Sequence, residues 1–348
     1  TQVYILEKND SFGLETSGRN SETIHAGIYY HEASLKAGLC VAGNALLYEL
    51  CERHGIAHRM TGKLIVATDS EEVAALGELL EQGRRNGARD LGIISARELR
   101  GLEPNVQGVA AISSPSSGVV DSRALMKFFL ATARDRGAEI AYRSRVVRIE
   151  KIGDGYMVSV RDDTGIHRYR TELLVNCAGL HSDDVAGLAG IDPDEAGYRL
   201  HYCKGEYFSV PSQKSKLVER LIYPVPTPGT GGVGIHTVLD IEGRMRLGPS
   251  ARFVGEIDYG VDDSQQGVFY DSVKGFLPFI EEDDLAPETA GIRPKLAGPG
   301  EGFRDFVIRH EADRGLPGLI NLVGIESPGL TASPAIAEYV GSMVDEIL

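Results

Sequence analysis

No stretch of this 348-residue chain approaches the roughly 18 consecutive apolar residues that a membrane helix needs, so a transmembrane segment is not expected. Cysteine is sparse. Cys40, Cys51, Cys177 and Cys203 stand far apart, without a C-x-x-C pair or a histidine cluster, so no metal site is expected and the thiols read as reduced and buried in an intracellular protein. Positive charge is also in deficit. With 36 Lys and Arg against 50 Asp and Glu, the formal net charge of −14 works against nucleic acid or an anionic membrane as a partner. A local basic pocket for an anionic substrate remains compatible with it. No signal-peptide pattern is visible at the start, and the expected location is cytoplasmic, with peripheral attachment to the inner membrane as the alternative.

A further absence lies at the opening. Thr1-Gln2-Val3-Tyr4-Ile5-Leu6-Glu7 reads as a short buried strand ending in an acid, the pattern of the second strand of a dinucleotide-binding unit, whose carboxylate meets a ribose about 20 residues after a glycine fingerprint. The G-x-G-x-x-G turn and the strand before it are missing, so a Rossmann-like domain lacking its first element is the expectation. Glycine is otherwise abundant at 42 residues, which fits many tight turns and close backbone approaches. The length suits two structural units.

Periodicity predicts helices over 33–54, 71–85, 121–136, 182–189 and 264–280, and a final helix ending near Ile347. Ser95 and Glu98 are spaced as a capping box that opens a further short helix. Strands are expected at 63–67, 139–142, 146–150, 156–161, 167–172, 173–175, 205–210, 232–238, 244–247, 290–296, 306–310 and 319–324. Three stretches share one order of buried strand, small-residue turn and helix start: Glu7 to Ser21, Val175 to Gly179 and Leu319 to Thr331. Such turns let backbone N–H groups approach a nucleotide.

The run Glu15-Thr16-Ser17-Gly18-Arg19-Asn20-Ser21-Glu22-Thr23-Ile24-His25-Ala26-Gly27-Ile28-Tyr29-Tyr30 resembles the FAD-dependent oxidoreductases related to D-amino-acid oxidase, and within them is similar to the L-2-hydroxyglutarate dehydrogenases and oxidases. Asn176-Cys177-Ala178-Gly179, Gly234-Ile235-His236 and Ala290-Gly291-Ile292-Arg293-Pro294 extend the resemblance over nearly the whole chain. It implies an α/β fold with a discontinuous FAD-binding domain (1–62, 114–200 and 284–348) and an antiparallel-sheet substrate domain (63–113 and 201–283).

The implied cofactor is FAD, with Glu7 on the ribose, Thr16, Ser17, Arg19, Asn20 and Ser21 along the diphosphate and ribityl chain, and Val146 at the adenine. Ala178 and Gly179 fall near the adenosine, His25 near the flavin ring, and Gly329, Leu330 and Thr331 at the flavin end. His236 is the expected general base, with a pKa near neutrality, and Arg293 the expected clamp on a substrate carboxylate. Tyr29 and Lys204 are further substrate candidates, although Tyr29 also suits a core and Lys204 an exposed strand start.

The implied reaction is oxidation of a small 2-hydroxy acid, L-2-hydroxyglutarate foremost, with oxygen, a quinone or an electron-transfer protein as acceptor. An amine oxidase, a glycerol-3-phosphate-type dehydrogenase and a non-catalytic, FAD-deficient chain are the alternatives; Gly324 to Thr331 departs from the relatives' usual string and keeps the substrate open.

Overall fold

A computed structural model describes residues 2–226 and 233–348. Two short sheets are built on parallel pairs. Tyr4–Leu6 runs parallel to Glu139–Ala141, with Ile5 opposite Ile140, and Leu174–Asn176 runs parallel to Leu319–Val323, with Asn176 opposite Asn321. These are two separate sheets, and Val307–His310 closes the second as an antiparallel edge. A meander of Arg145–Ile152, Gly155–Asp162 and Gly165–Thr171 stands beside them, its last strand facing solvent.

Two long helices, Leu35–His54 and Gly329–Ile347, cover the second sheet, burying Ala332 and Ile336 against Ile320 and Leu322 with Leu35 and Leu39 alongside. They meet at a glycine. A Cβ at Gly43 would fall 2.4 Å from the carbonyl oxygen of Thr331, so only glycine permits this approach.

The remaining sheets carry the largest core. Lys63–Ala67 sits between Leu221–Pro224 (parallel) and Ala110–Ser114 (antiparallel), and all its residues are buried. That explains the unbroken apolar run Leu64-Ile65-Val66-Ala67, since a strand covered on both faces does not alternate. A second sheet orders His236–Leu239, Met245–Gly248, His201–Ser209 and Arg252–Val254, and Ala286–Lys295 pairs along His201–Ser209 with Arg293 opposite Cys203. The two sheets share a core that includes Leu64, Ile112, Phe208, Leu221 and Phe269.

Several expectations shift. The helix foreseen over 264–280 runs only from Gln266 to Val273, because Gly275 and Pro278 do not sustain it. The strand at 290–296 starts earlier, at Ala286, where it follows its long partner. The strand at 232–238 begins at His236; residues 231 and 232 lie outside the described part. Cys40, Cys51 and Cys203 are buried as foreseen, but Cys177 is exposed on the turn after its strand.

Candidate active site

The three turns singled out in the sequence all leave the carboxyl ends of parallel strands, where open α/β sheets bind their ligands. Glu7 follows Tyr4–Leu6, and its Oε1 accepts from the N–H of Asn9 at 2.8 Å. Asn176 ends its strand buried, donating through Nδ2 to Asn321 Oδ1 and to the Ser182 carbonyl, each at 2.8 Å, while its Oδ1 accepts from Ala178 N–H at 3.2 Å. Gly179 then turns the chain with φ +56°, a conformation suited to glycine. The third turn leads into the C-terminal helix, where the N–H groups of Leu330 and Thr331 have no acceptor within the helix.

The 3₁₀ turn Thr16–Gly18 is pressed onto the strand that carries Arg293. Thr16 Oγ1 donates to the Ile292 carbonyl at 3.0 Å, and a Cβ at Gly291 would lie 2.1 Å from the Arg19 carbonyl oxygen. The Arg19 side chain is spent locally: Nε donates to the Leu14 carbonyl at 3.1 Å and the guanidinium lies 4.1 Å from the Tyr259 ring centroid. Asn20 closes its own turn, accepting from Glu22 N–H at 2.8 Å and donating to the Ser17 carbonyl at 2.6 Å. Ser17 is exposed, Ser21 half-buried, and Val146 half-buried on the meander.

His25 links this turn to the C-terminal helix. Its N–H donates to Thr331 Oγ1 at 3.0 Å, and Thr331 Oγ1 donates on to the Thr23 carbonyl at 3.1 Å. Its ring Nε2 lies 3.3 Å from Ser327 Oγ, and Nδ1 is buried without a partner among the described residues.

His236 is buried at 2% exposure, with Tyr223 stacked on it at a ring separation of 3.6 Å. Its Nδ1 lies 2.8 Å from the Gly234 carbonyl, which can only accept, so Nδ1 carries the proton and Nε2 keeps the lone pair. Burial, with the Lys63 and Arg293 charges, pulls this imidazole down to about 3 although the Gly234 carbonyl favours its protonated form. The expectation of a pKa near neutrality is thereby corrected: the ring is enclosed and faces two cations.

Arg293 is half-buried, donating through Nη2 to the Ser250 carbonyl at 2.7 Å and through Nη1 to Cys203 Sγ at 3.3 Å; neither partner is an acid. Lys204 does not fit its foreseen role as an exposed strand start or a substrate contact. It is buried mid-strand, with Nζ 2.8 Å from Asp258 Oδ2 and 3.8 Å from Glu206 Oε1, and its charge is already matched.

Sequence reasoning missed Lys63. It opens a buried strand at 1% exposure, with Nζ 3.9 Å from the Tyr223 ring centroid and 5.4 Å from that of Tyr29. Burial pulls its ammonium down to about 7, despite Cys40 nearby. It also missed Glu326, which receives Lys36 Nζ at 2.9 Å and Lys295 Nζ at 3.2 Å just before the flavin-end turn. The residues present suit a flavin dinucleotide: turns meet at strand ends, helix N–H groups lack acceptors, and His25 Nδ1 and the Tyr29, Tyr223 and Tyr259 hydroxyls are buried without partners among the described residues.

Residues 1–343 match the family described as FAD dependent oxidoreductase. The L-2-hydroxyglutarate dehydrogenase, mitochondrial, of Arabidopsis thaliana is 36% identical over 384 residues, covering 98% of this chain and 78% of that protein. The L-2-hydroxyglutarate dehydrogenase of Indibacter alkaliphilus is 30% identical over 375 residues, covering 97% and 91%. The solved structure of dithionite-reduced L-alpha-glycerophosphate oxidase from Mycoplasma pneumoniae, with FAD bound, superposes with a TM-score of 0.84 at 24% identity, covering 99% of this chain and 88% of that one. At that identity the likeness shows the fold.

Proposed function

The chain belongs to the FAD-dependent oxidoreductase family, and from that premise we propose that it oxidises L-2-hydroxyglutarate to 2-oxoglutarate. The observation that supports the reading is that relatives of this one name match along almost the entire chain, at 30–36% identity over 97–98% of it. FAD, when bound, supplies the acceptor for the hydride leaving C2. Glu7, Thr16, Ser17, Asn20, Ser21, Val146, Ala178 and Gly179 line the dinucleotide side. The first turn of the C-terminal helix, with Gly329, Leu330 and Thr331, and His25 lie at the flavin end, where N–H groups favour negative charge. For Arg19 the backbone is the part left to meet the cofactor, its side chain being engaged elsewhere.

Arg293, with no acid paired to it among the described residues, holds the C1 carboxylate, for which a guanidinium offers a two-pronged match. His236 takes the hydroxyl proton at Nε2, the nitrogen that its tautomer leaves basic. Its lowered pKa keeps that lone pair free, and an anionic ligand beside the ring raises its basicity as the proton arrives. A site of net positive charge within a chain of net charge −14 also concentrates an anionic substrate where it is needed. The division into a cofactor lobe (1–62, 114–200 and 284–348) and a substrate lobe (63–113 and 201–283) follows from the same reading. No described helix is long and apolar enough to cross a membrane.

Mixing the FAD-loaded protein anaerobically with L-2-hydroxyglutarate should bleach the flavin absorbance, and the D enantiomer, L-lactate, glycine, sarcosine and glycerol-3-phosphate should not. A flavin that stays oxidised with L-2-hydroxyglutarate would refute the assignment.

A further inference from the structure

Among the described residues, donors gather around Lys63 with no hydrogen bond to take them up. Its Nζ makes no hydrogen bond or ion pair with any described residue, and the rings of Tyr29 and Tyr223 beside it are nearly parallel at 6.4 Å. Both tyrosine hydroxyls are buried and unpartnered among the described residues. Burial holds both phenols well above their usual pKa, so they remain O–H donors. Two aromatic faces stabilise an ammonium only in part, and a buried cation without an anion is costly. A carboxylate answers this set: its oxygens accept from the ammonium and from both hydroxyls, in hydrogen bonds that charge strengthens.

Position narrows the choice further. Tyr223 separates this cluster from His236 by a single ring thickness, the imidazole stacking on it at 3.6 Å, while Arg293 acts on the same imidazole from elsewhere. Among the described residues, two cations near one base therefore lack a paired acid. We propose that Lys63, with the hydroxyls of Tyr29 and Tyr223, forms the subsite for the second carboxylate of a dicarboxylic 2-hydroxy acid, the one remote from the oxidised carbon. The assignment rests on the oxidoreductase reading above and makes Lys63 its determinant of chain length and charge.

The test compares flavin reduction by L-2-hydroxyglutarate and by L-2-hydroxybutyrate, which lacks the second carboxylate, in wild type, Lys63→Met, Tyr29→Phe and Tyr223→Phe. Lys63→Met should raise the KM for the dicarboxylate about 100-fold, and each tyrosine variant about tenfold, as expected for charge-assisted hydrogen bonds. The monocarboxylate should lose far less, so that the ratio of the two KM values moves by at least about tenfold in Lys63→Met, since any effect of Lys63 or Tyr223 on His236 acts on both acids alike. Calorimetric titration should show glutarate binding weakened in the same variants and butyrate binding unchanged. Equal losses for both acids, or unaltered preference, would overturn the subsite. If Lys63→Met does not fold, the tyrosine variants decide by the same ratio. Should wild type be reduced by neither acid, the function proposed above fails, and glutarate titration alone still decides whether this pocket takes a second carboxylate.

Discussion

His236 shows how one backbone carbonyl can assign a chemical role. Because Nδ1 donates to Gly234, Nε2 is the only ring nitrogen able to receive a proton. Replacing His236 with Ala should slow flavin reduction by about 100- to 10,000-fold and leave FAD affinity unchanged, measured by stopped-flow absorbance and by flavin titration. Unchanged reduction would remove the residue from the chemistry. The same group sets a pH signature. Its folded pKa, about 3, lies below the ordinary imidazole value of 6.5, so the unfolded chain binds more protons between those values. Stability contributed by this site should therefore rise from pH 3 to 6.5, by up to about 1.4 kcal/mol per pH unit, and fall again on acidification. Urea denaturation across that range should show the slope, reduced in His236→Gln. The roles proposed for His236 and Arg293 came from motif resemblance. Lys63 was not legible in the sequence, because a lysine opening a strand reads as exposed, and only the flanking strands Leu221–Pro224 and Ala110–Ser114, distant in sequence, bury it.

Among the elements, the paired helices Leu35–His54 and Gly329–Ile347 divide glycine's roles cleanly. Gly43 lies where a side chain would meet the Thr331 backbone, whereas a Cβ at Gly38, on the exposed face of the same helix, would meet nothing within 4 Å. Gly38→Ala should stabilise the protein by up to about 1 kcal/mol through helix propensity. Gly43→Val should instead destabilise it by about 1–3 kcal/mol through overpacking and loosen the Thr331 turn, so that flavin is lost more readily on dilution. Thermal melts and flavin release together check the pair. Helices of this kind were readable from spacing and caps: Asp121 accepts from Ala124 N–H and Ser95 forms its box with Glu98, as their positions indicated. Short strands such as Thr23–Ile24, His58–Arg59 and Gly118–Val120 were not, since two or three residues carry no period and owe their pairing to tertiary context.

For the molecule as a whole, buried polar contacts tie the parts that the sequence scatters. Tyr198 Oη and Asn321 Nδ2 both donate to Glu311 Oε1, at 2.6 and 2.9 Å, joining the chain after the small helix Ser182–Leu188 to the central strand Leu319–Val323. Glu326 does the same beside the proposed site. Burial opposes its ionisation, yet Lys36 and Lys295 together hold the carboxylate below its usual pKa. Its contribution is thus present above the ordinary carboxylate range and lost as pH falls through the lowered value. Glu326→Gln leaves two enclosed lysines short of a counter-charge and should cost about 3–5 kcal/mol by chemical denaturation. Lys295 shares a strand face with Arg293, and Glu326 immediately precedes the turn into the helix that starts at Gly329. The proposed carboxylate clamp and the proposed flavin-end turn are therefore gauged from one common mark, like two fixtures bolted to the same datum. Loosening that mark should leave each ligand its own affinity while misaligning the pair, a fault visible in kcat rather than in KM.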